Sequence, residues 1–94
     1  MKTTQQKELL EISPDKVDWI MLTDEGPKST QEGVGFYGDD LIYWRGVAQK
    51  ISLRRSIEVY KQIADNSVKY RTSFTEDVGA VSRWMDKILK AFPQ

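Results

Sequence analysis

Asp39 and Asp40 are the most prominent neighbouring carboxylates of the chain, set directly behind Gly38. Such a pair can ligate a divalent cation or divide acid–base work. A cation would need several further oxygens, and no EF-hand spacing is present. A hairpin turn wants Asp for another reason, because its side chain bonds the local backbone. Asp15 with Asp18, and Asp24 with Glu25, read in the same way, as turn and loop acids. The glycines of Gly33-Val34-Gly35-Phe36-Tyr37-Gly38 suggest a phosphate loop, but the closing Lys-Ser/Thr and a strong following helix are missing. Lys50 with Ser52 or Ser56 would be a Ser–Lys pair, and nothing in their spacing supports one. The chain has no histidine and no cysteine. Imidazole bases, thiolate nucleophiles, disulfides and His- or Cys-ligated metals are therefore excluded. We expect no enzyme, no cofactor, no metal and no catalytic residue.

Binding is the chemistry that remains. Net charge is zero, with 14 basic and 14 acidic residues, so the basic excess of a general nucleic-acid binder is absent. The charges are uneven: residues 1–50 carry six basic and nine acidic residues, and residues 51–94 carry eight and five. The second half can present a basic face to an acidic partner. Arg54-Arg55-Ser56 is its densest basic contact and resembles a phosphorylation site. Tyr43, Trp44, Tyr60, Tyr70 and Arg71 could interleave rings and cations for a single strand, although cross-strand packing accounts for them more simply.

These residues need elements to position them. At 94 residues the chain is one domain, residues 1–94, with ten aromatic residues to build its core. No apolar run reaches the length of a membrane span, and MKTTQQKELLEIS has no signal-like apolar stretch. Absence of cysteine suits a cytoplasmic protein. Thr3–Ile12 reads as a short helix with a Thr3/Gln6 capping box, ended by Ser13-Pro14-Asp15. Lys16–Leu22 alternates as a strand, with Val17, Trp19 and Met21 on one face and Asp18, Ile20 and Leu22 on the other. Thr23–Gln31 is a polar loop. Val34–Tyr37 and Leu41–Arg45 around Gly38-Asp39-Asp40 form a β-hairpin. Gly33 and Gly35 permit a bulge or close backbone approach. Tyr43 and Trp44 fall on opposite faces, so one ring must leave the main core. Ile51–Tyr60 fits both periods, and its β-branched residues favour strand; Asp65-Asn66-Ser67 reads as a turn and Val68–Phe74 as another strand. Thr75–Phe92 is the strongest helix, with Val78, Val81, Met85, Ile88, Leu89 and Phe92 in a stripe, Trp84 beside it and a Ser73/Glu76 capping box.

Ile51-Ser52-Leu53, Tyr70-Arg71-Thr72-Ser73-Phe74 and the helix bearing Trp84, Ile88 and Leu89 resemble the end of a pleckstrin-homology-like domain. The resemblance covers about half the chain. It implies a curved antiparallel sheet closed by a C-terminal helix whose Trp plugs one end. The loop after the first strand carries Asp24, Glu25 and a single Lys28. Peptide or protein binding is therefore the implied role, ahead of inositol phosphates.

The expected architecture is α+β: an antiparallel sheet of about five strands with a short N-terminal helix and a long C-terminal helix packed on it. The expected function is a non-catalytic protein-interaction or regulatory domain that binds a protein partner through the hairpin or a sheet edge. Tyr43, Trp44, Arg45, Asp39, Asp40, Arg54 and Arg55 are the expected partner-binding residues. The alternatives are a small inhibitor or immunity-type protein with an acidic patch (Asp15, Asp18, Asp24, Glu25, Asp39, Asp40), and a nucleic-acid-binding domain using the basic second half.

Overall fold

The computed structural model describes residues 9–24 and 31–93. Its elements are β1 (Leu9–Leu10), β2 (Asp18–Thr23), β3 (Glu32–Tyr37), β4 (Asp40–Arg45), β5 (Ala48–Lys50), α1 (Leu53–Tyr70), β6 (Phe74–Thr75) and α2 (Val78–Ala91). A 3-10 turn, Pro14–Lys16, precedes β2. The strands form one antiparallel sheet in the order β1-β5-β4-β3-β2-β6, giving the expected α+β architecture. Among the described residues, no helix is long and apolar enough to cross a membrane.

The hairpin forms as the sequence predicts. Tyr37 pairs with Asp40 across Gly38-Asp39, and the positive φ of Gly38, 63°, is the turn conformation that glycine adopts freely. Along β4, Leu41 and Tyr43 face one side of the sheet and Ile42 and Trp44 the other. The first side packs Ile20, Met21, Val34 and Phe36 beneath Val59 and Ile63 of α1 and Ala80 and Trp84 of α2. The second side holds Val17, Leu22, Ile42, Trp44 and Ala48, with Ile12 and Trp19 against them. Trp44 is thus the ring that leaves the main core, meeting Trp19 edge-on at 6.4 Å. Residues 11–17 run across this second face on the way from β1 to β2, so both faces are covered.

Strand β2 breaks the expected alternation. The register shifts between Trp19 and Met21, and Ile20 and Met21 both join the helix-side core while Trp19 and Leu22 serve the other. The opposing Gly33 and Gly35 allow this bulge. A Cβ on Gly35 would lie 2.6 Å from the Asp18 carbonyl oxygen, and one on Gly33 would lie 2.7 Å from that of Met21.

Further expectations are corrected. Residues 53–70 are helix, and the strand reading of 51–60 and of Val68 onward fails because an unbroken stripe of Ser56, Val59, Ile63 and Ser67 meets the core at helical spacing. Ser52 caps that helix, its Oγ accepting from the Arg55 N–H at 3.0 Å. Asp65-Asn66-Ser67 lies inside it, and the chain reverses instead at Arg71, whose φ of 58° is left-handed, with the Thr72 N–H donating to Ser67 O at 2.9 Å. The cap of α2 is Asp77, whose Oδ1 accepts from Gly79 and Ala80, rather than Ser73. Of the helix expected over Thr3–Ile12, residues 1–8 lie outside the described residues, and Leu9–Leu10 are a strand that satisfies the free edge of β5. The loop expected over Thr23–Gln31 falls mostly on residues 25–30, which also lie outside the described residues.

Candidate functional site

The antiparallel register of β4 and β5 sets Tyr43 against Gln49, and the chain then turns from Lys50 through Ile51 into the Ser52 cap of α1. This junction separates two cavities. On one side lies a polar pocket of about 520 Å³ lined by Tyr43, Arg45, Gln49, Lys50, Ile51, Ser52, Arg55 and Gln62. On the other lies a cleft of about 480 Å³ with an apolar floor of Leu41, Ile51, Leu53 and Ala91. The rim of the cleft carries Asp39, Asp40, Lys50, Lys87 and Lys90. Lys50 and Ile51 line both.

The pocket is a set of donors. Arg45, Lys50 and Arg55 come from β4, β5 and α1. Arg55 pairs with Glu58 at 3.0 Å and Lys50 with Asp40 at 3.6 Å. All four side chains are about half exposed, so these pairs hold weakly and exchange readily. Among the described residues Arg45 makes no salt bridge. At the back of the pocket the Tyr43 hydroxyl donates to Glu32 Oε2, and Gln62 Nε2 donates to the same oxygen at 3.3 Å. Burial, the hydrogen bond to Glu32 and the Glu32 charge push the Tyr43 phenol up to about 12. It is therefore a neutral donor at ordinary pH, unsuited to act as a base or nucleophile.

Of the seven residues singled out in the sequence, Tyr43, Arg45 and Arg55 meet in the pocket, and Asp39 and Asp40 line the cleft. Arg54 stacks over the Phe92 ring at 5.0 Å to its centroid. Trp44 is buried on the far face. Neither Tyr43 nor Trp44 is an exposed anchor: they are 8% and 6% exposed, because both faces of β4 are covered. The imagined Ser–Lys pair is also dismantled. Ser52 Oγ caps α1, and buried Ser56 Oγ accepts from the Trp84 indole at 2.8 Å. Sequence reasoning missed Gln49, Gln62, Lys87 and Lys90 as lining residues. One signal was present: Ser52 opens a helix whose first turn holds Arg54 and Arg55 and no acid, against the usual dipole preference.

The acidic residues do not gather into one patch. Asp18 is taken by Arg83, at 3.3 Å, while Arg83 also donates to Gly38 O and covers the Phe36 ring. Asp15 and Asp24 line a separate polar recess beside Trp19 and Gln31. Glu25 lies outside the described residues. The aromatic residues proposed for nucleic acid are equally dispersed: Tyr60 packs on Trp84, and Tyr70 sits at the exposed end of α1.

No protein-family model, curated protein or solved structure matches this chain.

Proposed function

We propose that this chain is a non-catalytic, cytoplasmic protein-interaction domain of regulatory character. Its contact surface is the cleft between the hairpin turn, β5 and the end of α2. The observation that carries this reading is the composition of that cleft: an open apolar floor inside a rim of charge, the usual anatomy of a protein contact. Lys87 and Lys90 outweigh the acids once Asp40 is paired with Lys50. The partner chemistry that fits is a segment with an aliphatic side chain for the floor and acidic groups beside it.

Contact by strand addition has less support. Among the described residues both edge strands, β1 and β6, are two residues long. The rest of the β2 edge is occupied by Asp77, whose N–H donates to Trp19 O at 3.0 Å. Short, covered edges resist pairing with another chain. Dispersal of the acids and of the exposed rings gives the inhibitor and nucleic-acid readings less support than the cleft.

The test is selection from a random peptide display library, followed by calorimetry of enriched peptides. Ala91→Arg fills the cleft from an exposed helix position, leaving the core intact. Enriched peptides should pair aliphatic with acidic residues and lose about tenfold or more in affinity to this variant. Peptides that bind it unchanged would remove the cleft as the contact surface.

A further inference from the structure

We propose that the polar pocket of Arg45, Lys50 and Arg55 binds a phosphomonoester dianion carried on the same protein segment that occupies the neighbouring cleft. The peptide half of this inference rests on the cleft reading above; the anion half stands on the pocket alone.

Three cations from three elements converge on one cavity, together with the neutral donors Gln49, Gln62 and Tyr43. Two of the cations have exposed acidic neighbours, Glu58 for Arg55 and Asp40 for Lys50, while Arg45 makes no salt bridge among the described residues. Like charges gathered in one cavity raise the energy of the fold unless an anion joins them. The first turn of α1 adds to the cost, since Arg54 and Arg55 stand at the positive end of an 18-residue helix that has no acid there. Arg54 gains the Phe92 ring and Arg55 the exposed Glu58 carboxylate, and the start of α1 still holds no acid. Among the described residues, the nearby acids do not complete the pocket. Glu58 and Asp40 make half-exposed pairs outside the pocket lining, and Glu32 is already bonded to Tyr43 and Gln62.

The chemistry selects the anion. Two guanidinium groups offer forked donors that match phosphate oxygens, and Lys50 adds a point charge. A dianion draws on all three charges where a single carboxylate uses fewer. A nucleic acid is the poorer source, because Tyr43, the only ring among the described lining residues, is buried and gives no stacking platform. A protein segment is the better source. The pocket and the apolar cleft share Lys50 and Ile51, so a phosphorylated side chain and an adjacent aliphatic residue have neighbouring seats.

Two measurements on the full chain test the proposal. The first titrates inorganic phosphate into the isotope-labelled protein and follows backbone amides. Saturable shifts should centre on Arg45 and Gln49–Arg55, and should vanish in Arg45→Glu and Arg55→Glu. Glu58→Gln releases Arg55 and should tighten binding about twofold to threefold. Shifts spread over surface lysines, or unchanged in the Arg variants, overturn the anion site. The second compares two oriented peptide libraries, one with a central phosphoserine and one with serine, both with random flanks. Enrichment should favour the phosphorylated library, fall about tenfold with Arg45→Glu, and select aliphatic flanks that Ala91→Arg no longer selects. Phosphate shifts at the pocket without phosphopeptide enrichment would assign the site to a free phosphate and overturn the protein source. Enrichment of both libraries alike would leave the cleft standing and overturn the phosphate.

Discussion

Trp84 joins the helices to each other and to the sheet, and its removal should be the most damaging single change in α2. The side chain is 5% exposed, packs on Tyr60 at 4.9 Å between ring centroids, and donates its indole N–H to Ser56 Oγ at 2.8 Å. Trp84→Ala removes the ring and leaves a cavity, at a cost of about 3–5 kcal/mol. For a domain of this size that is a large part of the total stability, so the variant should be measured by urea titration at low temperature. Trp84→Phe keeps most of the packing and loses the hydrogen bond, for about 1–2 kcal/mol. Ser56→Ala orphans the buried indole N–H instead, at about 1–3 kcal/mol. The double variant should cost less than the two singles together, because the indole N–H that Ser56→Ala orphans is then absent. A loss under about 1 kcal/mol for Trp84→Ala would refute the packing argument. Strict additivity of the two milder variants would refute the hydrogen-bond argument.

Three further outcomes are expected. Gly35→Ala should cost about 1–3 kcal/mol in chemical denaturation, because its Cβ would meet the Asp18 carbonyl at 2.6 Å and Val17 Cγ1 at 2.9 Å. Arg71→Gly should raise stability by about 0.5–1 kcal/mol, since Arg71 ends α1 at a positive φ that glycine adopts without strain. The fold favours the protonated phenol of Tyr43, so its contribution is complete below pH 10 and is lost as pH rises to about 12. Stability should fall across that window, and Tyr43→Phe should flatten the fall. Tyr60, raised by burial and its hydrogen bond to Glu76, acts in the same direction and will keep part of the slope in that variant.

Local chemistry made some of this fold legible in the sequence. The Gly38-Asp39 turn and the alternation on each side fix the hairpin within β3 and β4, and place Tyr43 and Trp44 on opposite faces. Helix α2 is legible from its long stripe, yet only Ala80 and Trp84 are fully buried. Val78, Met85 and Leu89 are exposed, because the sheet supports one narrow line of the helix. Residues 51–64 are ambiguous by period alone, and Val68–Phe74 alternates as a strand would although α1 runs to Tyr70. What selects the helix is the Ser52 cap together with a core that accepts Val59 and Ile63. The bulge in β2 depends on glycines in the partner strand. Gly33 and Gly35 announce a close approach without saying which residue of β2 is displaced.

The candidate site was legible as residue types and illegible as a place. Arg45, Lys50 and Arg55 are a few residues apart in the chain but belong to three elements. Only the β4–β5 register and the turn into α1 bring them to one cavity. Lys87 and Lys90 reach the cleft from α2 only because the end of that helix lies beside the hairpin turn. Trp44, by contrast, looked available in the sequence because the chain that covers the second face of the sheet precedes it by nearly thirty residues.

The most direct measurement is amide shift mapping of the isotope-labelled protein with the tightest peptide from the display selection. Binding through the cleft predicts the largest shifts at Leu41, Lys50, Ile51, Leu53 and Ala91, and their loss in Ala91→Arg. Shifts centred instead on Val78 and Met85 of α2, or on Asp15 and Asp24 beside β2, with the cleft amides unmoved, would contradict it.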